Sequence, residues 1–525
     1  MIYRIIFFLF LLILLRINYK FANLIKLHYK LWGKKVIFYG FLVIYFVILI
    51  YLCNETTIWE DECYTLNTTS HSLSGVISQS YQFEAQPPLY FILLKCWRQI
   101  NGGVFFARLL SVFFIGLSAY FFHRLVNLIS GKESSKWLLI IFLLNPFTVW
   151  AAIEMRSYAM IIFLSTISIY FFLQFLISNK KKYLYSFIIT AIIGLYTQYL
   201  FIFLIISLLF SFLVFRGWKS FFILCIYFIP VIILFLPNFL FISHDISIQQ
   251  TTLYTWKSTI YLILQTPCNL LLGLNNVTSF WKYIIILFTS FCALIAYHKL
   301  YSVNLSKNSS FGKLNFILIT VLFFVLLYAI GFSLFRIQYA DLYMAVAFPL
   351  LILLMTVFKV YSPSYRRLIY TSFSLYLFFL LLFIYRNRVK FYDFKSIAKY
   401  VTEIENNNEP ILFYRNGLSL PFDYYYKGKN LIYPLPNAVT FDKNYLINFK
   451  DTTEMRKSIE CINSTSNSYI LISDDKAVYL GSLDMNRKMV DDYLVRNYKT
   501  TLDTLYFGKS KNYYLRIRCI EKIKK

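Results

Sequence analysis

The sequence predicts a polytopic α-helical membrane protein with a small α/β domain at its C-terminus. Of its 525 residues, 59% are hydrophobic and 21% aromatic, and the mean hydropathy is +0.59. A soluble protein cannot bury that much apolar surface. Apolar segments of about 20 residues, the length that a helix needs to cross a bilayer, recur along the chain. Beyond residue 385 no such segment follows, which indicates a separate domain.

Short loops separate about 11 predicted spans. The spans lie near residues 36–53, 104–129, 137–153, 157–177, 184–199, 200–215, 220–241, 281–300, 314–335, 343–358 and 368–385. The pair 184–199 and 200–215 is nearly continuous and rests on a polar break at 196–199. Residues 1–15 are also apolar; they form a further membrane helix, an interfacial helix or a retained signal-like segment.

The net charge of +27 has a topological explanation. Lys and Arg of the membrane part lie in short loops between apolar runs, as the positive-inside rule describes, so we predict no nucleic-acid partner. The densest basic stretch precedes the first span, which places it in the cytoplasm. An odd number of spans then places the C-terminus outside. Low Gly and Ala with abundant Ile, Lys, Asn and Phe is typical of an AT-rich bacterial genome, so we expect a multi-pass protein of the bacterial inner membrane.

Three regions follow from this pattern. Residues 1–35 form the hydrophobic segment and basic cytoplasmic stretch, residues 36–385 the membrane domain with a first external loop at 54–103, and residues 386–525 an extracytoplasmic α/β domain. The tail carries 16 of the 25 acidic residues. Within it we predict a helix at 394–404, strands at 411–414 and 468–473, and a terminal hairpin of 502–507 and 513–518. A run at 88–97 predicts an amphipathic helix on the membrane surface.

Cysteines and histidines give little support for a metal centre. The eight cysteines contain no CxxC pair and the five histidines form no cluster, so we predict no zinc site. Cys461 and Cys519 both lie in the tail, where they either pair or remain free.

Acidic residues of the membrane part are few and lie almost entirely on one predicted side. Up to residue 385 there are nine, and all except Glu133 fall on the external side in this topology. Three of them are consecutive in Trp59–Thr65, the segment that follows the first span. Carboxylates at a membrane edge are costly unless water, a cation or a reacting group requires them.

Other polar residues share this side. Glu84, Arg108, Glu154 and Arg156 all occur near predicted external ends of spans. Such a set suits a reaction in which a carboxylate takes a hydroxyl proton while cationic groups hold a phosphate leaving group.

Each of these residues also has an alternative interpretation, in which its role is structural and not catalytic. Asp61 and Glu62 cap the first helix of the loop in that interpretation, Glu154 and Arg156 pair with neighbouring helices, and Arg108 extends to the lipid headgroups. Residues 86–88, Gln-Pro-Pro, are then a rigid turn before a surface helix.

Four short motifs in a fixed order resemble the GT-C membrane glycosyltransferases, in the branch of the protein O-mannosyltransferases and the bacterial lipid A aminoarabinose transferase (glycosyltransferase family 39 type). They are Trp59-Glu60-Asp61-Glu62 with Tyr64-Thr65, Pro87-Pro88-Leu89-Tyr90, Arg108-Leu109-Leu110-Ser111 and Glu154-Met155-Arg156-Ser157-Tyr158. The resemblance is clear over residues 36–215. It departs from the family at Glu84, Gln86 and Gln198, where the family has Asp, His and His, and at Leu342-Tyr343, where it often has Arg-Tyr.

The resemblance implies transfer of a sugar, with inversion, from a polyprenyl-phosphate donor to an extracytoplasmic hydroxyl on a glycolipid, lipopolysaccharide or protein. It implies catalytic roles for Asp61 and Glu62, an acceptor or cation site at Glu84 and Glu154, and a donor phosphate site at Arg108, Arg156 and Tyr158. A divalent cation at Asp61, Glu62 and Glu84 is permitted but not required. An apolar groove among the spans would hold the polyprenyl tail. No family pattern or pairing argument gives Glu60 a role.

Other functions fit the composition as well. One alternative is an O-antigen ligase or polymerase, which moves a preassembled glycan from a lipid pyrophosphate. A transporter or flippase of lipid-linked sugars would instead place charges at mid-membrane and break helices in both halves. A non-enzymatic membrane protein with a glycan-binding external domain is the third alternative.

Overall fold

The computed structural model describes residues 34–130, 132–248, 310–335, 341–354, 392–406, 409–441, 449, 451–463, 467–474, 485–508 and 514–523. The predicted spans at 281–300 and 368–385, and the apolar segment 1–15, lie outside these residues.

The described residues contain 17 α-helices. In order they are α1 (Lys34–Glu55), α2 (Glu60–Ser70), α3 (Leu73–Gln82), α4 (Leu89–Arg98), α5 (Val104–Ser130), α6 (Lys132–Leu144), α7 (Pro146–Ala152), α8 (Tyr158–Ser178), α9 (Lys181–Leu195), α10 (Phe201–Tyr227), α11 (Ile229–Ile248), α12 (Ser310–Phe335), α13 (Phe348–Leu354), α14 (Phe394–Ile404), α15 (Ser419–Tyr425), α16 (Thr452–Asn463) and α17 (Met485–Asn497). Short 3-10 helices occur at Asp341–Val346 and Asn416–Leu418.

The chain forms two compact units. The first contains residues 1–54 and 105–383, and the second contains residues 55–104 and 384–525. The sequence assigned the first external loop, 54–103, to the membrane domain. In the structure the residues of this loop group with those of the tail.

Among the described residues, four helices of the first unit are long and apolar enough to cross a membrane. They are Val36–Glu55, Val104–Ser130, Tyr158–Ser178 and Phe201–Tyr227. A fifth candidate is the pair α6 and α7, which bends by 63°. The bend falls at Asn145, because the proline at 146 disfavours helical backbone in the residue before it. The protein is therefore a multi-pass membrane protein, and the total of about 11 spans stays a prediction.

Two predicted boundaries have a simple physical basis. The polar break at 196–199 separates α9 from α10, as predicted. The loop predicted after residue 215 is instead a kink within α10 at Gly217, whose φ of +77° glycine adopts easily.

Polar side chains also join neighbouring helices inside the first unit. Ser168 Oγ donates to Thr190 Oγ1 at 2.9 Å, and the hydroxyls of Ser211 and Thr320 lie 2.7 Å apart.

The second unit contains a five-stranded sheet of order β2-β1-β3-β5-β4. Its strands are β1 (Ile411–Tyr414), β2 (Ile432–Leu435), β3 (Ser468–Asp474), β4 (Tyr498–Phe507) and β5 (Tyr514–Lys522). β1 pairs in parallel with β2 and β3, whereas β5 pairs antiparallel with β3 and β4. All four β1 side chains are buried because the strand has a core on each face.

The predictions for the tail are largely confirmed. The helix at 394–404 and the strand at 411–414 have the predicted bounds, and the second strand and the hairpin are longer than predicted. β2 and helices α15 to α17 were missed. Cys519 is a free cysteine, so the predicted alternative of a bond to Cys461 is not formed.

Candidate active site

The three carboxylates of the loop motif lie in the first turn of α2. The helix begins at Glu60, and the helix dipole favours negative charge at this end. Asp61 is half-buried and Glu62 is completely buried. The hydroxyl of Thr65 donates to the backbone oxygen of Asp61 at 3.0 Å, one turn further along the helix.

Glu84 contacts the same helix, although it comes from the segment after α3. Its Oε1 accepts a hydrogen bond from Thr68 Oγ1 at 3.2 Å, in the last turns of α2. The structure thus brings Glu84 to the helix that bears Asp61 and Glu62. Because Thr68 lies about two turns after Asp61, Glu84 meets the other end of that helix.

A metal centre made of Asp61, Glu62 and Glu84 does not fit this arrangement. Within the described parts of the chain, no three His, Cys, Asp or Glu side chains are grouped as metal ligands.

Arg108 lies in the first unit, near the start of α5. Its side chain is 1% exposed, and Nη1 donates to the backbone oxygen of Cys53 at 2.9 Å, near the end of α1. A guanidinium that extended to the lipid headgroups would be exposed. This burial does not fit a side chain that extends outward to the headgroups of the surrounding bilayer.

Glu154 and Arg156 lie in the connection between α7 and α8, and Tyr158 is the first residue of α8. Their side chains are buried, with exposed fractions of 0%, 7% and 4%. Ser111 of α5 donates through Oγ to the backbone oxygen of Glu154 at 2.6 Å. This bond joins the connection to the first turns of the helix that carries Arg108.

Buried charge in the first unit therefore accumulates at one end of four helices. Arg108 lies at the start of α5 and contacts the end of α1, while Glu154 and Arg156 lie between α7 and α8. Arginine offers several fixed N–H donors and binds phosphate oxygens in pairs. Two buried guanidinium groups at the end of apolar helices are chemically suited to an anionic headgroup on a lipid.

Glu60 is a residue whose environment the sequence did not predict. Its Oε1 accepts a hydrogen bond from the Tyr64 hydroxyl, and its carboxylate lies against Gly417 in the second unit. Burial raises the pKa of this carboxyl, and the Tyr64 hydrogen bond and the charge of Arg415 only partly oppose that effect. No sequence signal links residues 60 and 417, since their contact is long-range.

Gln198, which stands where the resembled family has His, lies in the first unit. This side chain is 7% exposed and follows the end of α9. Leu342-Tyr343 falls in the 3-10 helix Asp341–Val346.

Comparisons with known proteins give structural matches only. No family model matches the sequence, and neither does any curated protein. Among solved structures, ArnT from Cupriavidus metallidurans in the apo state is 11% identical, with 93% of this chain and 98% of that chain covered and a TM-score of 0.46. The same protein bound to undecaprenyl phosphate gives a TM-score of 0.45 at the same identity and coverage.

A second match is the oligosaccharyltransferase of Archaeoglobus fulgidus, at 10% identity, with 82% of this chain and 68% of that chain covered and a TM-score of 0.46. The solved structures to which the chain is similar are therefore ArnT and an oligosaccharyltransferase.

Proposed function

We propose that this protein is an integral-membrane glycosyltransferase that moves a sugar from a polyprenyl-phosphate donor to an extracytoplasmic hydroxyl. The observation that carries the proposal is the burial of Arg108, Glu154 and Arg156 at one end of apolar helices. Ionised groups in a membrane segment are costly and are typically retained for function. A lipid donor with a phosphate headgroup accounts for both the charge and the surrounding apolar helices.

The proposed reaction is a single displacement. The acceptor oxygen bonds to the anomeric carbon while the bond from that carbon to the phosphate oxygen breaks, which inverts the configuration. The bonding electrons pass to the phosphate, and polyprenyl phosphate leaves. Asp61 takes the acceptor proton as general base; if it only orients the hydroxyl, the proton passes to the departing phosphate.

Further residues have assigned roles in this proposal. Arg108, Arg156 and Tyr158 hold the donor phosphate and stabilise the charge that develops on it. Glu62 supports Asp61, and Glu84 and Glu154 shape the acceptor site. The acceptor is a glycolipid, lipopolysaccharide or protein.

Mass spectrometry of a strain that lacks the gene tests the proposal. Relative to its parent, the strain should lose one sugar residue mass from an envelope glycolipid or glycoprotein and accumulate the matching polyprenyl-phosphate sugar. Identical glycan masses in the two strains would contradict the proposal.

Purified protein separates the enzyme from a transporter. Added in detergent to the lipid and acceptor extract of the deletion strain, it should restore the missing residue mass, because no leaflet remains to be crossed. A transporter would leave the extract unchanged.

A further inference from the structure

The Glu60 carboxylate lies so close to Gly417 that it must move away if any other residue occupies position 417. A Cβ atom there would overlap with Oε1 of Glu60 and lie 2.8 Å from the Tyr64 hydroxyl oxygen. Gly417 belongs to the 3-10 turn Asn416–Leu418, directly after β1. The first residue of α2 is thereby held against the carboxyl end of a central strand of the sheet.

The same face of α2 makes a second contact one turn later. The Tyr64 hydroxyl donates to Oε1 of Glu60, and the Tyr64 ring packs edge-on against Phe83 and Phe441 at centroid distances of 5.0 and 6.2 Å. The chain just before the helix is held as well, since the Ile58 N–H donates to the Tyr425 hydroxyl at 2.9 Å. The start of α2 is therefore fixed at several points within the second unit.

Charges near Glu60 form a connected group. Arg415 Nη1 lies 2.7 Å from Oδ2 of the buried Asp474, and the Tyr392 hydroxyl donates to the same oxygen at 2.7 Å. Burial works to lower the pKa of Arg415, but the carboxylates of Asp474 and then Glu60 raise it above its usual value. Arg415 stays charged and offsets part of the cost of burying both carboxylates.

We propose that Glu60 is a positioning residue: its contact with Gly417 fixes the rotation of α2, and with it the directions of Asp61 and Glu62, while the hydrogen bond from Tyr64 of the same helix holds the Glu60 carboxylate in place. Successive residues of an α-helix point about 100° apart, so holding Glu60 determines where the next two side chains lie. A side chain displaced by about 1 Å can lose roughly a hundredfold in rate. The inference rests on the proposed function for the catalytic role of Asp61.

Thiol labelling of the full-length protein in membranes tests the positioning without any substrate. Cys63 lies half-buried on α2, and Cys96 is exposed on α4. Maleimide labelling of each cysteine is followed by peptide mass spectrometry. Glu60→Ala and Gly417→Ala should raise the rate at Cys63 relative to Cys96 by about tenfold, because each change removes the contact between the Glu60 carboxylate and Gly417 that holds the start of α2. Wild-type rates in both variants would overturn the inference.

Two further variants make the test specific. Gly102→Ala is the matched control, since a Cβ there meets no atom within 4 Å, and it should label as the wild type does. Glu60→Gln retains the size and the acceptor oxygen for Tyr64, so it should restore protection. Labelling of Glu60→Gln at the rate of Glu60→Ala would overturn the role of the hydrogen bond.

Transfer by the purified variants in the deletion-strain extract separates this inference from the proposed function. Gly417→Ala should lower kcat by roughly tenfold to a hundredfold with the donor KM unchanged, and Glu60→Gln should stay near wild type. If Asp61→Asn abolishes transfer while Gly417→Ala retains the wild-type kcat, the positioning role fails and the proposed function stands. If Asp61→Asn retains full transfer, the proposed function itself fails.

Discussion

At the scale of single residues, Arg108 combines two properties that rarely occur together in a membrane helix. Its guanidinium is a strongly basic group, and it is 1% exposed. Its Nη1 donates to the Cys53 backbone oxygen at 2.9 Å, which joins α5 to the end of α1. Because a charged group is costly to bury in a membrane helix, we expect Arg108 to hold the donor phosphate in the proposed reaction.

Removal of the Arg108 guanidinium should lower transfer strongly. We expect Arg108→Ala to reduce the restored glycan by about two orders of magnitude, as the loss of one charge-stabilising donor does in other enzymes. Arg124 is the matched control on the same helix, because its exposed guanidinium lies over the Tyr120 ring. Equal activity of Arg108→Ala and Arg124→Ala, at equal protein levels, would contradict the proposed role of Arg108 in holding the donor phosphate.

Sequence patterns identify some of these residues and miss others for a physical reason. The Trp59–Thr65 motif, Arg108 and Glu154–Tyr158 were found because a charge in an apolar context is visible in one dimension. The burial of Arg108 and the contact of Glu84 with Thr68 depend on neighbours in space. The sequence predicts no role for Glu60, because its neighbours in space, Gly417 and Arg415, lie more than 350 residues away along the chain.

At the scale of elements, one hydroxyl joins α5 to the connection between α7 and α8. Ser111 donates to the Glu154 backbone oxygen at 2.6 Å, and it lies one turn after Arg108. This bond fixes the segment that presents Glu154 and Arg156 against the helix that presents Arg108.

Loss of this bond should destabilise the protein. Ser111→Ala is expected to lower the free energy of unfolding by about 1 kcal/mol, which thermal unfolding in detergent measures as a lower midpoint. Ser118→Ala is the control: Ser118 is equally buried on α5 but donates to Phe114 of its own helix, at 2.8 Å. Because that oxygen also serves the helix backbone, the change at 118 should cost less. Equal midpoints for the two variants would contradict the connecting role of Ser111.

Elements with a strong local pattern were predictable. The continuous apolar run of β1 and the amphipathic repeat of α14 gave their bounds directly. β2 was missed because it has four residues, contains Pro434 and pairs on one side only among the described strands. The bend between α6 and α7 was also missed, since a proline inside an apolar run is compatible with either a kink or a break.

At the scale of the whole molecule, the grouping of residues 55–104 with the tail is the main addition of the structure. Hydropathy separates apolar spans from polar segments, but it contains no information on which polar segments pack together. The contact of Tyr64 and Phe83 with Phe441 joins segments that hydropathy treats as independent. The four long apolar helices of the described residues were therefore predictable, whereas the grouping of polar segments into units was not.

Topology is the prediction at this scale. An alkaline phosphatase fused after Lys525 should be active in a bacterial host, because the positive-inside pattern places the C-terminus outside. A fusion after Lys180, in a loop with three consecutive lysines, should be inactive and provides the control. An inactive phosphatase after Lys525, together with an active cytoplasmic reporter fused there, would contradict the external location predicted for the C-terminus and the active site.

The most direct measurement is glycan transfer by Asp61→Asn. This change removes the charge of the proposed base and preserves its shape, and Asp423→Asn, at an exposed position of α15, is the matched control. Both variants are expressed in the deletion strain, and the missing residue mass is quantified against protein level in the membrane. The account predicts full restoration by Asp423→Asn and none by Asp61→Asn; full restoration by Asp61→Asn would contradict it.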